Sequence, residues 1–460
     1  MRMSGMGGMS RRTFVACAAG LAWPRLPSAF RTQSRRPTPS AAQLAWQRDE
    51  LALFLHFGVN TFTDREWGDG AEDPAIFDPT ALDARQWARA ARAAGFQAMV
   101  LTAKHHDGFC LWPSATTAHS VVSSPWRGGA GDLVREFVDA CRAEGLRPGL
   151  YCSPWDRHAP SYGDSPRYND LYADQLTELL TRYGEIAEVW FDGANGEGPN
   201  GRRQAYDWPR VFGLVRRLQP NAAVFSDAGP DVRWCGNERG AAGEPNWSTV
   251  DPDAVPYPGA SGDRVTAMLQ HGDPDGSVWR PAEADVSIRP GWFYHPAEDD
   301  RVRSVDNLVD LYFSSVGRNS KLLLNVPPTR AGLLHATDVA HLTRMHDRLA
   351  AMFAEGAVAG RWVTGGRTGA RTAELDMDLA RPETVGITRL EEDITGGQAV
   401  ARYTLYGSDG GSWQVLSRGT TIGYAKLDRF APTAVRRIRL VIENAVAAPA
   451  PVTVRLYAAT

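Results

Sequence analysis

Short apolar runs alternate with helix-period segments over most of this chain, and this alternation limits the possible folds more than any other feature. The predicted strands are 51–59, 96–102, 146–152, 186–191, 222–226, 284–288 and 322–326. The predicted helices are 83–94, 132–144, 168–183, 202–218, 305–315 and 337–353. Strands that alternate with helices form βαβ units around a parallel sheet. About seven or eight such units favour an α/β fold of the (β/α)8, TIM-like barrel type over an open sheet.

The pattern changes near Gly356. From Gly360 to Thr460 the chain has little helical periodicity, and short alternating segments are separated by turn residues. Regular short strands of this kind predict a C-terminal β-sandwich. We therefore expect a leader over 1–42, a barrel over 43–355 and a β-sandwich over 356–460. No glycine-rich phosphate-binding motif follows any predicted strand, which argues against a nucleotide-binding fold.

The first residues have the pattern of an export signal. The segment Ser10-Arg11-Arg12-Thr13-Phe14-Val15 precedes a small and apolar run from Ala16 to Trp23. A twin arginine before a modest apolar region is typical of the Tat route. We therefore expect a signal peptide and a periplasmic or secreted protein.

Charge and composition narrow the possible partners. The net charge of -3 over 460 residues gives no electrostatic footprint for nucleic acid or an anionic membrane. No apolar run is long enough to span a bilayer, and the five cysteines lack metal-site spacing. We expect no cofactor and no metal, and the sequence leaves the oligomeric state open.

Polar or titratable side chains come directly after the apolar run of six of the predicted strands, at the same relative position. In a closed barrel these side chains converge on the carboxyl end of the sheet, where sites are built. Helix capping or turn formation would explain any one of these side chains. It does not readily explain why six strands carry a polar side chain at the same position. They are His56, the run Lys104-His105-His106-Asp107, the run Ser153-Pro154-Trp155-Asp156, Asp192, Asp227 and Asn325.

Three chemistries compete for this site. Three imidazoles and the carboxylate of Asp192 could bind a metal, although the consecutive residues His105 and His106 on an extended segment are expected to point in opposite directions. Ser153 or a cysteine could pair with a histidine, but no nucleophile-elbow motif is present. A pair of carboxylates with aromatic and histidine neighbours could cleave a glycosidic bond, and we favour this interpretation.

The strand-end motifs resemble one family. They stand in the order found in the family 29 glycoside hydrolases, the α-L-fucosidases, and the resemblance spans roughly Trp46 to Val326. The motifs are His56-Phe57-Gly58, Lys104-His105-His106-Asp107-Gly108-Phe109, Ser153-Pro154-Trp155-Asp156 and Val189-Trp190-Phe191-Asp192-Gly193. Further features are similar to the subgroup that prefers α-1,3/1,4-linked fucose: the run Phe191 to Gly201, Gly236-Asn237-Glu238, and Trp413, Gly423-Tyr424 and Phe430 in the C-terminal region.

This resemblance implies a retaining mechanism with two carboxyl groups. Asp192 would be the nucleophile that forms a covalent fucosyl-enzyme. Glu238 is the first candidate for the acid/base, and Glu244 is held in reserve. Glu283 and Asp285, near another strand end, are further reserve candidates for the acid or the aglycone site.

The resemblance also implies which side chains bind substrate. They are His56, His105 and His106 for the fucose hydroxyls, Trp190 and Trp292 for its methyl group, and Tyr151 and Asp156 nearby. The expected partners are fucosylated oligosaccharides or glycoconjugates. Two alternatives stay open: a catalytically weak, exported carbohydrate-binding protein, and an α-L-fucosidase of broad specificity.

Overall fold

The computed structural model describes residues 36–354, 361–363 and 371–458. The predicted export signal therefore lies outside the described residues. In chain order the elements of the first part are α1 (Ala41–Arg48), β1 (Leu51–Leu55), α2 (Val59–Thr63), α3 (Ala84–Ala93), β2 (Ala98–Lys104), α4 (Leu133–Ala143), β3 (Arg147–Cys152), α5 (Ser165–Arg182), β4 (Glu188–Trp190), α6 (Trp208–Leu218), β5 (Ala223–Phe225), β6 (Arg233–Trp234), β7 (Thr249–Val250), α7 (Asp263–His271), β8 (Val278–Trp279), β9 (Ala282–Ser287), α8 (Val305–Ser314), β10 (Ser320–Asn325) and α9 (Ala336–Phe353).

Eight parallel strands form the barrel in the order β5-β4-β3-β2-β1-β10-β9-β6. A parallel bridge between Phe225 and Val232 joins the two edge strands and brings the sheet to near closure. The predicted (β/α)8-type fold is confirmed, with one departure: no helix lies between β5 and β6. The small strands β7 and β8 pair outside the barrel.

Strand alternation divides the side chains of the barrel between two cores. On β1, Leu53 and Leu55 face the helices, whereas Phe54 faces the barrel interior with Tyr151 and Trp190. The predicted strand 51–59 is too long, because β1 ends at Leu55 and α2 begins four residues later at Val59.

A buried ionic cluster fills the lower part of the barrel interior. The ammonium group of Lys321 lies 3.0 Å from Glu188, 3.7 Å from Asp49 and 3.8 Å from Glu283. The ring of Trp46 on α1 lies 4.7 Å from the same ammonium. Buried charges are stable only when they are paired, so this cluster closes the end of the barrel opposite the strand mouths.

The C-terminal part is antiparallel. Its strands are β11 (Arg361–Val363), β12 (Ala373–Glu392), β13 (Val400–Ser408), β14 (Gln414–Gly419), β15 (Lys426–Ala445) and β16 (Val452–Tyr457). They form a β-sandwich, as predicted, around one apolar core. The sequence interpretation divided β12 and β15 into short pieces, because bulges between Asp378 and Glu383 and between Val385 and Ile387 interrupt the two-residue period.

The barrel and the sandwich belong to one compact unit that starts at Arg36. Glu50 before β1 accepts hydrogen bonds from Arg389 on β12, at 2.5 Å, and from Tyr424, at 3.1 Å. The predicted boundary at residue 356 falls in the segment 355–360, outside the described residues. Among the residues described, no helix is both long enough and apolar enough to cross a membrane.

Candidate active site

A pocket of about 380 Å³ opens at the carboxyl ends of the barrel strands. Side chains from six of the eight strands or from the loops that follow them line it, as expected for a site in this fold. The lining residues are Phe54, His56, Glu66, Trp67, His105, His106, Tyr151, Trp190, Asp192, Ala194, Glu238, Asp285 and Trp292. Ten residues were assigned to catalysis or substrate binding from the sequence, counting the reserve Glu244, and eight of them lie in this pocket.

Asp192 lies two residues beyond the end of β4, and its carboxylate is held at both oxygens. The phenol of Tyr151 donates a hydrogen bond of 3.0 Å to Oδ2, and the backbone N–H of Ala194 donates one of 2.7 Å to Oδ1. The side chain remains 26% exposed toward the pocket. Asp192 therefore presents an oriented carboxylate to whatever enters.

His56 is held as a neutral imidazole with a defined tautomer. The amide nitrogen of Asn325 donates to Oγ of Ser287 and to the carbonyl of Trp292, so its oxygen faces Nδ1 of His56 at 2.8 Å. Nδ1 therefore carries the proton, and Nε2 is left as an acceptor. Burial, opposed by the hydrogen bond to Asn325, lowers the pKa of His56 to about 4.

His106 has the same tautomer for a similar reason. The hydroxyl of Ser153 donates to the carbonyl of Trp155 at 2.6 Å and therefore accepts from Nδ1 of His106 at 2.7 Å. Nε2 of His106 lies 3.8 Å from Oδ2 of Asp192, which is too long for a hydrogen bond. Burial lowers the pKa of His106, so this ring also offers an acceptor beside the carboxylate.

His105 and His106 line the same pocket, with ring centroids 4.1 Å apart. The expectation that they point in opposite directions is wrong, because the chain turns directly after β2 and reaches Gly108 in the left-handed region, at φ 81°. Nδ1 of His105 is buried without a hydrogen-bond partner in the described part of the chain. An unsatisfied buried polar atom beside a cavity is the kind of group that a ligand hydroxyl completes.

Two tryptophans give the pocket an apolar wall. The indole of Trp190 stacks on Phe225 at 4.2 Å and donates to Oε1 of Glu283 at 3.0 Å. Trp292 lies with its ring centroid 5.1 Å from that of His56. Both rings are thus fixed by packing before any ligand arrives.

Glu238, which follows β6, shares the pocket with Asp192. Burial raises the pKa of the Glu238 carboxyl, the charge of Asp192 raises it further, and a hydrogen bond from the side chain of Trp292 opposes both. The pocket therefore places the donor-held carboxylate of Asp192 with the carboxyl of Glu238, whose pKa is raised, and it is also lined by the carboxyl groups of Glu66 and Asp285.

Glu244 lies elsewhere, in a groove between the barrel and the sandwich. Its carboxylate is 2.6 Å from the ammonium of Lys426 and 3.5 Å from the guanidinium of Arg318. Burial raises the pKa of Glu244, but the two cations outweigh burial and lower it. The reserve assignment of Glu244 as acid/base is therefore wrong in position, because these ion pairs direct its side chain to the sandwich.

Asp156 also needs a correction. It does not line the pocket but is 2% exposed behind it, 3.0 Å from the ammonium of Lys104. It also accepts hydrogen bonds from the backbone N–H groups of His158 and Ala159. These partners occupy both carboxylate oxygens of Asp156. The side chain therefore supports the loop after β3 instead of contacting a ligand. Of the other reserve carboxylates, Asp285 lines the pocket and Glu283 belongs to the ionic cluster.

Glu66 and Trp67 line the pocket without having been predicted. They stand in the loop Asp64-Arg65-Glu66-Trp67-Gly68 after α2, too far along the chain from β1 to be read as a strand end. The available signal was a carboxylate next to an aromatic residue in a glycine-containing loop. Trp67 is 57% exposed at the rim, an unusual position for so large an apolar side chain.

Comparison with known proteins agrees with this geometry. Residues 56–351 match the family model described as alpha-L-fucosidase. This chain belongs to the α-L-fucosidase family, family 29 of the glycoside hydrolases. The match covers the barrel from the residue after β1 onward and includes every pocket residue except Phe54.

Individual relatives support the same assignment over almost the whole chain. Alpha-L-fucosidase 1 of Arabidopsis thaliana is 42% identical over 439 residues, which cover 89% of this chain and 85% of that protein. The crystal structure of a glycoside hydrolase 29 family member from an unknown rumen bacterium has a TM-score of 0.85 at 40% identity and covers 92% of this chain and 78% of the other. The α-L-fucosidase family also contains a Ruminococcus gnavus fucosidase, solved in complex with fucose, with a TM-score of 0.83 at 31% identity over 92% of this chain and 95% of that one.

The described residues include no group of three or more histidine, cysteine, aspartate or glutamate side chains placed to hold a metal ion. His56 and His106 instead use one ring nitrogen each on a protein acceptor. This α-L-fucosidase-family pocket therefore presents four carboxyl groups, Asp192 and Glu238 among them, together with imidazole acceptors and an indole wall.

Proposed function

We propose that this protein is a retaining exo-α-L-fucosidase that removes terminal α-1,3/1,4-linked L-fucose from glycans through a covalent fucosyl-Asp192 intermediate. One observation carries the proposal: Asp192 and Glu238 share a cavity in which Asp192 is oriented by donors and the pKa of Glu238 is raised. A general acid must keep its proton at the pH at which the nucleophile is ionised, and the raised pKa of Glu238 favours that state.

In the first step, a carboxylate oxygen of Asp192 attacks the anomeric carbon of fucose while the bond to the leaving oxygen breaks. Glu238 gives its proton to that oxygen, so the aglycone departs as a neutral alcohol. In the second step, ionised Glu238 takes a proton from water, whose oxygen attacks the anomeric carbon and releases Asp192. Two displacements return the fucose with its original anomeric configuration.

Fucose recognition follows from the fixed side chains around the nucleophile. Nε2 of His56 and Nε2 of His106 accept from sugar hydroxyls, since the other nitrogen of each ring is already committed. Trp190 and Trp292 provide flat apolar surface for the C5 methyl group. Phe54, Tyr151 and Trp190 pack together and close the bottom of the pocket. A pocket that is closed at the bottom suits a fucose at the end of a glycan better than a sugar in its interior.

The α-1,3/1,4 preference rests on the loop after β4. The indole of Trp155 donates to the carbonyl of Glu197 at 3.0 Å, and the phenol of Tyr162 donates to Asn195 at 3.1 Å. These bonds fix Asn195 and Glu197 of the run Phe191 to Gly201 close to Ala194, which lines the pocket, and the sugars next to fucose would lie against this segment. Lewis-type trisaccharides should be hydrolysed much faster than 2'-fucosyllactose. Equal rates would indicate a broad-specificity fucosidase, and a preference for the α-1,2 linkage would refute the subgroup.

Loss of the nucleophile tests the activity itself. Asp192→Asn and Asp192→Ala should abolish hydrolysis of an aryl α-L-fucoside while the circular dichroism spectrum and unfolding temperature stay close to those of the unmodified protein. Near-normal turnover in either variant would contradict the assignment of Asp192 as the nucleophile. An unmodified protein that binds fucosylated glycans and turns over no fucoside would favour the alternative of an exported carbohydrate-binding protein.

The N-terminal twin-arginine segment supports export through the Tat route to the periplasm or the medium. Fusing residues 1–42 to a reporter tests this separately from the activity. The reporter should be exported by cells with a working Tat system and retained when Arg11 and Arg12 are both replaced by lysine. If the double substitution left export of the reporter unchanged, export through the Tat route would be contradicted.

A further inference from the structure

His295 bridges two carboxylates at the edge of the pocket. Its Nδ1 lies 2.9 Å from Oδ1 of Asp64, and its Nε2 lies 2.7 Å from Oε1 of Glu66. An ionised carboxylate can only accept hydrogen bonds, and a neutral imidazole has a single N–H to donate. Both short contacts are satisfied together only when the ring carries two protons, so the geometry calls for an imidazolium.

Glu66 connects this ring to the pocket wall. Its carboxylate accepts the backbone N–H of Trp292 at 2.9 Å and that of Phe293 at 3.2 Å. Asn325 holds the same segment from its other side by donating to the carbonyl of Trp292 at 2.8 Å. Glu66 thus ties the loop after α2 to the loop after β9, and both Glu66 and Trp292 line the pocket.

The cluster is packed without spare room. A Cβ atom placed on Gly291 would lie 2.4 Å from Oε1 of Glu66 and 2.8 Å from Cδ2 of His295. The N–H of Gly291 donates to Glu298 at 3.0 Å, which fixes the start of the Trp292 segment. A carboxylate held this closely has a single position while its partners are in place.

The charges that face His295 favour its doubly protonated, cationic form. Asp64 and Glu66 come from the loop after α2, and Glu298 comes from the segment that follows His295. Two cations contact this group within the described residues: Arg330, whose guanidinium lies 3.7 Å from Asp64, and Arg301, whose guanidinium lies 4.0 Å from Glu298. Burial lowers the pKa of His295, but the hydrogen bonds to Glu66 and Asp64 outweigh burial and raise it. Loss of the proton would leave two carboxylates facing one donor.

We propose that His295 is a positioning residue for the proposed fucosidase: as an imidazolium it holds Glu66 against the backbone of Trp292 and so keeps this wall in its binding position. The inference rests on the proposed function, since the ligand is fucose. A raised pKa means that the clamp is complete at low pH and is lost as pH rises through the pKa of His295 in the folded protein. Affinity for fucose should decline over the same range.

Calorimetric binding of free L-fucose across a pH series tests this directly. The unmodified protein should bind roughly tenfold more weakly on the alkaline side, because one hydrogen bond to a charged group is worth about that factor. His295→Gln, which has one amide donor and turns its oxygen toward the second carboxylate, should be weak at every pH. His346→Gln, a partly buried histidine at the opposite end of the barrel, should behave as the unmodified protein.

Asp64→Asn separates a titrating clamp from a merely structural contact. Asn tolerates the left-handed conformation of this position, at φ 60°, and Asp64 does not line the pocket. Removing one of the two carboxylates should move the alkaline midpoint to lower pH and leave the affinity at low pH nearly unchanged. This variant also keeps the test valid if His295→Gln fails to fold.

The outcomes distinguish this inference from the function on which it rests. An unmodified protein that fails to bind L-fucose at any pH would contradict the proposed function. A protein that binds fucose with the same affinity and pH profile after His295→Gln, or whose midpoint stays in place after Asp64→Asn, would contradict the role of His295 alone.

Discussion

The phenol of Tyr151 donates a hydrogen bond of 3.0 Å to Oδ2 of Asp192 across adjacent barrel strands. Tyr151 belongs to β3, where packing against Trp190 at 5.2 Å fixes its ring. The bond therefore orients the carboxylate toward the pocket and stabilises its charge.

Tyr151→Phe should lower kcat/KM for an aryl α-L-fucoside by roughly 10- to 100-fold, because a hydrogen bond to a charged group contributes about 1.5–3 kcal/mol. Tyr424→Phe is a matched control, since it removes a similar 3.1 Å bond to Glu50 far from the site. Activity that falls equally in both variants would indicate general destabilisation instead of a role at Asp192.

Glu238→Ala should slow turnover strongly for substrates with poor leaving groups and much less for those with good ones. Azide should restore turnover and give α-L-fucosyl azide, since azide needs no general base to attack the intermediate. Glu244→Ala should keep near-normal activity and lose only thermal stability, because it unpairs Lys426. If azide rescued Glu244→Ala and did not rescue Glu238→Ala, Glu244 would be the acid/base instead of Glu238.

Asp285 should make stability fall as pH rises. Burial raises the pKa of this carboxyl to about 8 from an ordinary value of 3.8, against a hydrogen bond from Trp234. The folded state thus retains a proton that the unfolded state releases, and this contribution, complete below the ordinary pKa, is lost as pH rises through about 8. The unfolding temperature of Asp285→Asn should therefore rise relative to that of the unmodified protein between mildly acidic and alkaline pH.

The surface carboxyl Asp378, which is 69% exposed, provides the control for that measurement. Asp378→Asn should show no comparable change between the two pH values. A constant difference between Asp285→Asn and the unmodified protein would show that Asp285 does not retain its proton on folding.

Chelation should leave the activity unchanged. The proposed displacement uses Asp192 and Glu238 and routes no step through a metal. Dialysis against a strong chelator, followed by assay with an aryl α-L-fucoside, measures this. Lost activity that a divalent cation restores would instead favour a metal-dependent hydrolase.

The barrel and its nucleophile were predictable because their signals are local. The two-residue and helical periods are set by neighbours in sequence, and Asp192 directly follows one apolar run. The short strand β6 and the bulged strand β12 were not predictable, since β6 pairs with β9 and β12 pairs with β15, both of which lie far along the chain.

Parts of the site depend on contacts that no local pattern encodes. Glu66 reaches the backbone N–H of Trp292 across 226 positions of sequence. His105 and His106 share a pocket because of one turn at Gly108. Asp156 and Glu244 looked like site residues from their neighbours in sequence, but Lys104 and Lys426 pair with them away from the pocket.

The central claim is that Asp192 attacks the anomeric carbon, and trapping the intermediate tests it most directly. A 2-deoxy-2-fluoro-L-fucosyl fluoride should accumulate the fucosyl-enzyme, because the ring fluorine slows both steps while the leaving fluoride favours the first. Mass spectrometry should find one 2-fluorofucosyl group per chain, on the peptide that contains Asp192, and none on Asp192→Asn. Attachment at another residue, or turnover of this reagent with inversion and without any adduct, would contradict the account.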